Sequence, residues 1–165
     1  MELALTVVLV IVFALVFDFT NGFHDTANAM ATSVATGALK PRTAVVIAGV
    51  LNLVGAFLST QVAQTISSGI IKTDSSGREL ITPALIFAGL IGAIVWNFLT
   101  WYLGLPSSSS HALFGGLIGA ALLGVGVQAV DFGSVVTKIV IPAVLAPLVA
   151  GLAALIGTVI VYRMT

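Results

Sequence analysis

The sequence predicts an all-α integral membrane protein, a polytopic helical bundle with interrupted or re-entrant helices. Three observations carry that prediction. Of the 165 residues, 59% are hydrophobic and only 7% are charged, against about 25% charged in a soluble domain. Several apolar runs reach the roughly 18–20 residues that a membrane-crossing helix needs. Two of those runs also carry polar or Gly-Pro interruptions, and lipid tolerates irregular backbone only where protein or a wet cavity covers it.

The first segment, 3–38, opens on MELALTVVLVIVFALVF. It lacks the basic n-region and small-residue cleavage site of a signal peptide, so it is expected to remain as a span. At 1.5 Å per residue it is too long for one straight crossing; two spans, or one helix broken inside the membrane, are expected. Lys40, Pro41 and Arg42 close it, and Pro41 suits the first turn of a second span over 43–66. A hydrophilic loop, 67–81, carries Lys72, Asp74, Arg78 and Glu79 and belongs in water. A third span covers 82–103, opening near Pro83. Gly104-Leu105-Pro106 then breaks the chain before a Gly/Ala-rich helix over 109–128, and a turn around Asp131 leads to a last span, 139–162. The pair 82–128 reads equally as a re-entrant hairpin or as two spans. Taken as a hairpin, it divides Lys40, Arg42 and Arg163 from Lys72, Arg78 and Lys138, so the positive-inside rule fixes no orientation.

The charge balance excludes some partners. Six basic and six acidic residues cancel, and without a basic patch no nucleic acid is expected to bind. The absence of cysteine excludes disulfides and thiolate metal sites. The partner set by composition is the lipid bilayer.

Two constellations then stand out. Asp18, Asn21, Asp25, Asn28, Thr32 and Thr36 recur at three- and four-residue spacing, which places them on one face of a helix. Hydrogen bonding between helices accounts for the threonines. It does not account for two carboxylates that each cost at least about 3 kcal/mol at the bilayer centre. The second constellation is PSSSSHA, residues 106–112. Pro106 stops the preceding helix and one serine can N-cap the next, whose free N–H groups and dipole favour an anion. Downstream, Ala112, Gly116, Ala120 and Gly124 form a small-residue ridge for close helix packing. His24 reads as a packed imidazole or a proton carrier, and Asn52, Gln61 and Gln64 as interhelical hydrogen-bond residues.

No lysine or arginine lies within an apolar segment. An anion at the serines therefore meets Asp18 and Asp25 without a fixed positive partner. Like charges 4 Å apart repel by about 4 kcal/mol at an effective dielectric of 20, so a mobile cation must accompany the anion. Oxygen ligands suit Na⁺, or a proton on a carboxylate, rather than a thiophilic metal.

NGFHDTANAMATSVATGAL (21–39) together with GLPSSSSHALFGGLIGAAL (104–122) resembles the inorganic phosphate transporter (Pit) family. The resemblance implies secondary active uptake of inorganic phosphate across the cell (plasma) membrane, coupled to Na⁺ or H⁺, by a multi-pass protein that is no enzyme and carries no cofactor. It implies a fold of two inverted-topology repeats, each with one copy of each motif. On this reading Thr26, Asn28, Ser107, Ser108, Ser109, Ser110 and His111 are the phosphate-binding candidates. Asp25 and Asn21 are cation-binding candidates, joined by Asp18 on spacing alone, with no metal expected beyond Na⁺. His24 stands where many members carry asparagine. One copy of each motif makes the chain resemble the first repeat: it is either a truncated or separately encoded half, or it assembles with a second copy, and a second half-transporter chain or a second copy of itself is the expected partner. A permease for another oxyanion such as sulfate, and a non-transporting membrane assembly subunit, stay open as alternatives. An intramembrane hydrolase is disfavoured, since G-x-S-x-G is absent and adjacent Ser110 and His111 do not set a base on its nucleophile.

Overall fold

The computed structural model describes residues 2–58, 69–72 and 80–164. Its elements are α1 (Glu2–Ala35), α2 (Pro41–Leu58), α3 (Pro83–Tyr102), α4 (Ser109–Gly124) and α5 (Phe132–Met164). A short 3₁₀ turn, Val127–Ala129, follows α4. Among the described residues three helices are long and apolar enough to cross a membrane: Ala4–Ala35, Pro83–Tyr102 and Phe132–Met164. The chain divides into two units, Met1–Val130 and Asp131–Thr165.

The first segment departs from expectation. Instead of two spans or a broken helix, α1 runs unbroken for 34 residues. The physical reason lies in its composition and its neighbours. It contains no proline, and Thr20, His24, Asp25 and Asn28 find partners outside α1 (below), so its backbone ladder need not open. The end of α1 is a turn in which Gly37 takes a positive φ of 76°. Thr36, just past the end, donates its hydroxyl to the Thr32 carbonyl at 2.8 Å, an internal back-bond and not the interhelical one expected of it.

In the first unit α3 packs against both α1 and α4, and α2 lies against α1. Phe17, Leu90, Ala93 and Ile94 form the buried centre, flanked by Val10, Phe13, Ala14, Ile86, Ala112 and Leu113. Phe13 meets Phe87 edge-on, centroids 4.8 Å apart. Ala44 and Ala48 are the buried residues of α2. The remainder of the 43–66 span, with Gln61 and Gln64, lies outside the described residues. So does most of the 67–81 loop, including Asp74, Arg78 and Glu79. Its described part is tied down: Ile71 bridges Val130, the Lys72 N–H donates to the Ala129 carbonyl at 2.8 Å, and Ile70 and Ile71 are buried.

The interruption after α3 has a local cause. Thr82 caps the helix start by accepting from Leu85 N–H at 3.2 Å, with Pro83 in the first turn. At the other end Gly104 adopts φ 66°. Its N–H reaches the Trp101 carbonyl at 3.1 Å while Leu105 N–H reaches Thr100 at 2.8 Å. This is a Schellman closure, and Pro106 two residues on prevents any resumption of the helix.

The second unit, by itself, is one long helix. It begins seven residues before the expected 139, because Asp131, placed in a turn by the sequence, caps the helix start. Its Oδ1 accepts from Gly133 N–H at 3.0 Å and Ser134 N–H at 3.3 Å, and Oδ2 accepts from the Ser134 hydroxyl at 3.1 Å. Asp131 is the N-cap. A π-helical stretch, Val136–Val140, precedes Pro142; widening the helix there accommodates a residue that cannot donate. Pro147 sits further inside α5, which is apolar on every face, as a helix without a water-facing side is.

Candidate functional site

The polar residues of α1 meet the chain break between α3 and α4. What brings them close is the small-residue ridge of α4. A Cβ on Gly116 would fall inside contact distance of the Gly89 carbonyl oxygen and 3.3 Å from the Ala93 nitrogen. Only glycine lets the two backbones approach so far, and the start of α4 is carried in with them.

That start is capped by Ser108, whose hydroxyl accepts from His111 N–H at 3.4 Å and lies 2.7 Å from His111 Nδ1. The next residue, Ser109, is 2% exposed and donates its hydroxyl to Asp25 Oδ1 at 3.3 Å. One turn on along α1, Asn28 donates through Nδ2 to the Ser107 carbonyl at 3.2 Å. The Ser107 hydroxyl accepts from the Trp96 indole N–H at 2.9 Å. Residues 79 and 84 positions apart in the chain are thus joined directly. The helix itself uses the Ser108 carbonyl for Ala112 and the Ser108 hydroxyl for His111, and the N–H groups of Ser109 and Ser110 have no acceptor among the described residues.

Two cavities flank the break. One, about 320 Å³, is lined by His24, Asn28, Thr100, Trp101, Leu105 and Pro106 among others. The other, about 470 Å³, has Trp96, Ser107, Ser108 and His111 over a floor of Gly92, Gly115 and Gly116. Both combine a few polar groups with apolar walls, the usual make-up of a small-ligand site.

The structure therefore brings together Asp25, Asn28, Ser107, Ser108, Ser109 and His111, and leaves others apart. Ser110 is exposed and its hydroxyl makes no hydrogen bond among the described residues. Thr26 lines a separate cleft of about 550 Å³ with Phe19, Phe23, Val45 and Asn52, towards α2 and away from the serines. Asn52 makes no interhelical bond among the described residues. Asn21 is close to Asp25 on α1, and its Oδ1 is buried without a partner. Asp18 is exposed and lies two turns, about 10.5 Å of helix rise, from Asp25. A cation held at 2.3–2.6 Å by oxygen, the roughly typical range for hard ions, touches one of these carboxylates and not both.

Four residues were missed by sequence reasoning as parts of this site: Thr20, Trp96, Asn97 and Thr100. Asn97 is fully buried and donates to Thr20 Oγ1 at 3.3 Å. Thr20 in turn donates to the Phe17 carbonyl at 2.8 Å. Thr100 lies 3.3 Å from His24 Nε2. The available signal was spacing: Thr20 and His24 are four apart on α1, and Asn97 and Thr100 three apart on an otherwise apolar α3. Polar side chains inside membrane helices turn towards one another.

The profile of the phosphate transporter family matches residues 21–165. A Mycobacterium bovis protein named "Probable low-affinity inorganic phosphate transporter" is 59% identical over 157 residues, covering 95% of this chain and 36% of the relative. One of the same name from Bacillus subtilis is 46% identical, covering 90% of this chain and 43% of the relative. An Escherichia coli protein named "Low-affinity inorganic phosphate transporter PitA" is 40% identical, over 72% of this chain and 24% of the relative. The chain thus spans less than half the length of these relatives. No solved structure matches it.

Proposed function

The chain belongs to the phosphate transporter family, and on that premise we propose that it supplies one half of a site through which inorganic phosphate crosses the membrane together with Na⁺ or H⁺. The observation that carries the proposal is the Ser109–Asp25 hydrogen bond, which sets a helix start against an acceptor-bearing helix. The anion binds at the start of α4, on the Ser109 and Ser110 N–H groups with the serine hydroxyls and His111 around it. The cation binds at Asp25, with the unpartnered Asn21 oxygen beside it. Thr26 has no part in this arrangement, and Asp18 is too far along α1 to share the same ion.

Family membership and the relatives' names support phosphate as the substrate. The cation follows from charge: α1, α3 and α4 contain no lysine or arginine, so no full positive charge offsets the repulsion between Asp25 and an oxyanion. A second half-transporter chain, or a second copy, completes the pathway.

Linkage makes the test specific. If the two ions share a site, the factor by which cation raises phosphate affinity equals the factor by which phosphate raises cation affinity. Couplings of about 1–3 kcal/mol correspond to roughly 5–150-fold. Titration calorimetry on the assembled transporter, at several Na⁺ concentrations and pH values, measures it. Phosphate affinity indifferent to both cations overturns the shared site, and sulfate competing as well as phosphate overturns the substrate.

A further inference from the structure

The Asn28 amide has two chemically opposite ends, and its surroundings leave it one orientation. The Ser107 carbonyl is an obligate acceptor, so the group 3.2 Å from it is the Asn28 NH₂ and not its oxygen. The same nitrogen lies 3.4 Å from His24 Nδ1. A nitrogen facing an NH₂ group must accept, so the ring's one N–H is on Nε2. That atom is 3.3 Å from Thr100 Oγ1, which receives the hydrogen. Thr100 passes its own to the carbonyl of Trp96 at 2.9 Å or Asn97 at 3.2 Å. Each donor thus meets an acceptor, along a chain that starts and ends on backbone carbonyls. His24 and Thr100 are 4% and 3% exposed, so water does not replace a lost partner.

We propose that Thr100 is a positioning residue: through the tautomer of His24 it holds the Asn28 amide with its oxygen as the unengaged end, so that the ligand meets an acceptor and not a donor. This deepens the site reading above and rests on it. An acceptor beside Asp25 adds to the oxygen set offered to the cation, and gives Asn28 a cation-side role in place of the phosphate-side role read from the sequence. Removing the Thr100 hydroxyl leaves Nε2–H buried without an acceptor. The ring then takes the Nδ1–H tautomer, and the Asn28 oxygen turns to receive that hydrogen. The amide's NH₂ becomes the free end, and the Ser107 carbonyl loses its donor.

The experiment compares Thr100→Val with Thr100→Ser in the assembled transporter in proteoliposomes. Thr100→Val is expected to raise the cation half-saturation about tenfold, the scale of one misplaced hydrogen bond, while phosphate half-saturation at saturating cation changes little. Thr100→Ser, which keeps the hydroxyl, restores the wild-type value. In an Asn28→Ala background Thr100→Val adds no further change, because the group it positions is gone. Nitrogen NMR of the two histidines reads the tautomer without transport, expected as Nε2–H in the wild type and Nδ1–H in Thr100→Val. A wild-type Nδ1–H tautomer, or equal shifts in cation and phosphate half-saturation that serine does not rescue, overturns the positioning role. If Asn28→Ala itself leaves uptake and cation dependence intact, the failure lies with the site reading. Should Thr100→Val not fold, the wild-type tautomer and the Thr100→Ser kinetics still decide.

Discussion

Replacing Gly116 by alanine should damage both the stability of the α3–α4 pair and the site it carries. The methyl group would meet the Gly89 carbonyl oxygen within contact distance, the Gly89 carbonyl carbon at 3.2 Å and the Ala93 nitrogen at 3.3 Å. All three are backbone atoms, so no rotamer change makes room and the helices must part, by on the order of 1 Å to regain ordinary contact distances. Alanine gains up to about 1 kcal/mol of helix propensity over glycine, but overpacking of this kind costs about 1–3 kcal/mol. Gly119→Ala supplies the control, because a Cβ there meets nothing within 4 Å and keeps only the gain. Gly116→Ala should therefore be about 2 kcal/mol less stable than Gly119→Ala. The site should suffer too, since the Ser109–Asp25 bond is already 3.3 Å long and a further ~1 Å takes it beyond hydrogen-bond range. Thermal melts in detergent, followed by the fluorescence of Trp96 and Trp101 on α3, measure the first effect; phosphate titration of the assembled transporter measures the second. Equal melting and equal phosphate affinity in the two variants would refute the close approach of α3 and α4 as the device that seats the serines.

Asp25→Asn keeps the size of the side chain and removes its charge; expression should survive while cation-dependent uptake collapses, and an unchanged Na⁺ and pH dependence in proteoliposomes would count against the cation site. Replacing Ser108 and Ser109 together by alanine removes two hydroxyls at the proposed anion site, each worth about 1.5–3 kcal/mol to a charged acceptor. Phosphate half-saturation should rise at least about tenfold, and an unaltered value would reduce these serines to caps. Asp131→Ala removes the N-cap of α5 and should lower thermal stability by about 0.5–2 kcal/mol without changing phosphate affinity; a shift in affinity without loss of stability would contradict the capping role.

Much of the site was legible in the sequence because its costs are. Carboxylates in an apolar helix and a Pro-Ser run before a glycine ridge are expensive arrangements, and both proved to meet at one place: Asp25 on Ser109, Asn28 on Ser107. The ridge, too, was readable, since Gly116 lies on Gly89. What spacing could not give was direction around the helix. Thr26 is one residue from Asp25 but a hundred degrees round α1, and this turns it towards α2. Nor could spacing separate Asp18 from Asp25 along the axis, though the two share a stripe. The unbroken α1 was misjudged because a segment longer than one straight crossing, with polar residues at its middle, was read as having to divide there. Polar side chains open a membrane helix only if they lack partners, and Thr20, His24, Asp25 and Asn28 have theirs on α3, α4 and the break between them. Those partners are distant in sequence, so no local pattern reports them.

The contrast between an intact α1 and a broken α3–α4 has a chemical logic of its own. Free backbone N–H groups, the donors an oxyanion needs, exist only at a helix start, so the chain must be interrupted to expose them. Acceptors for a cation come from carboxylate and amide side chains and leave the helix whole. Donors and acceptors therefore come from opposite kinds of element, and the site forms where one abuts the other. The charge balance follows from the same origin. A helix start is worth about half a positive charge, whereas Asp25 brings a full negative one and a monovalent oxyanion another. The sum is near −1.5, in segments that contain no lysine or arginine. Two monovalent cations, or one cation and a proton, bring that sum to within half a charge of neutral. On the proposed reading, occupancy by cation is thus the condition for holding the anion at all, and a transporter built this way releases phosphate on whichever side its cations leave.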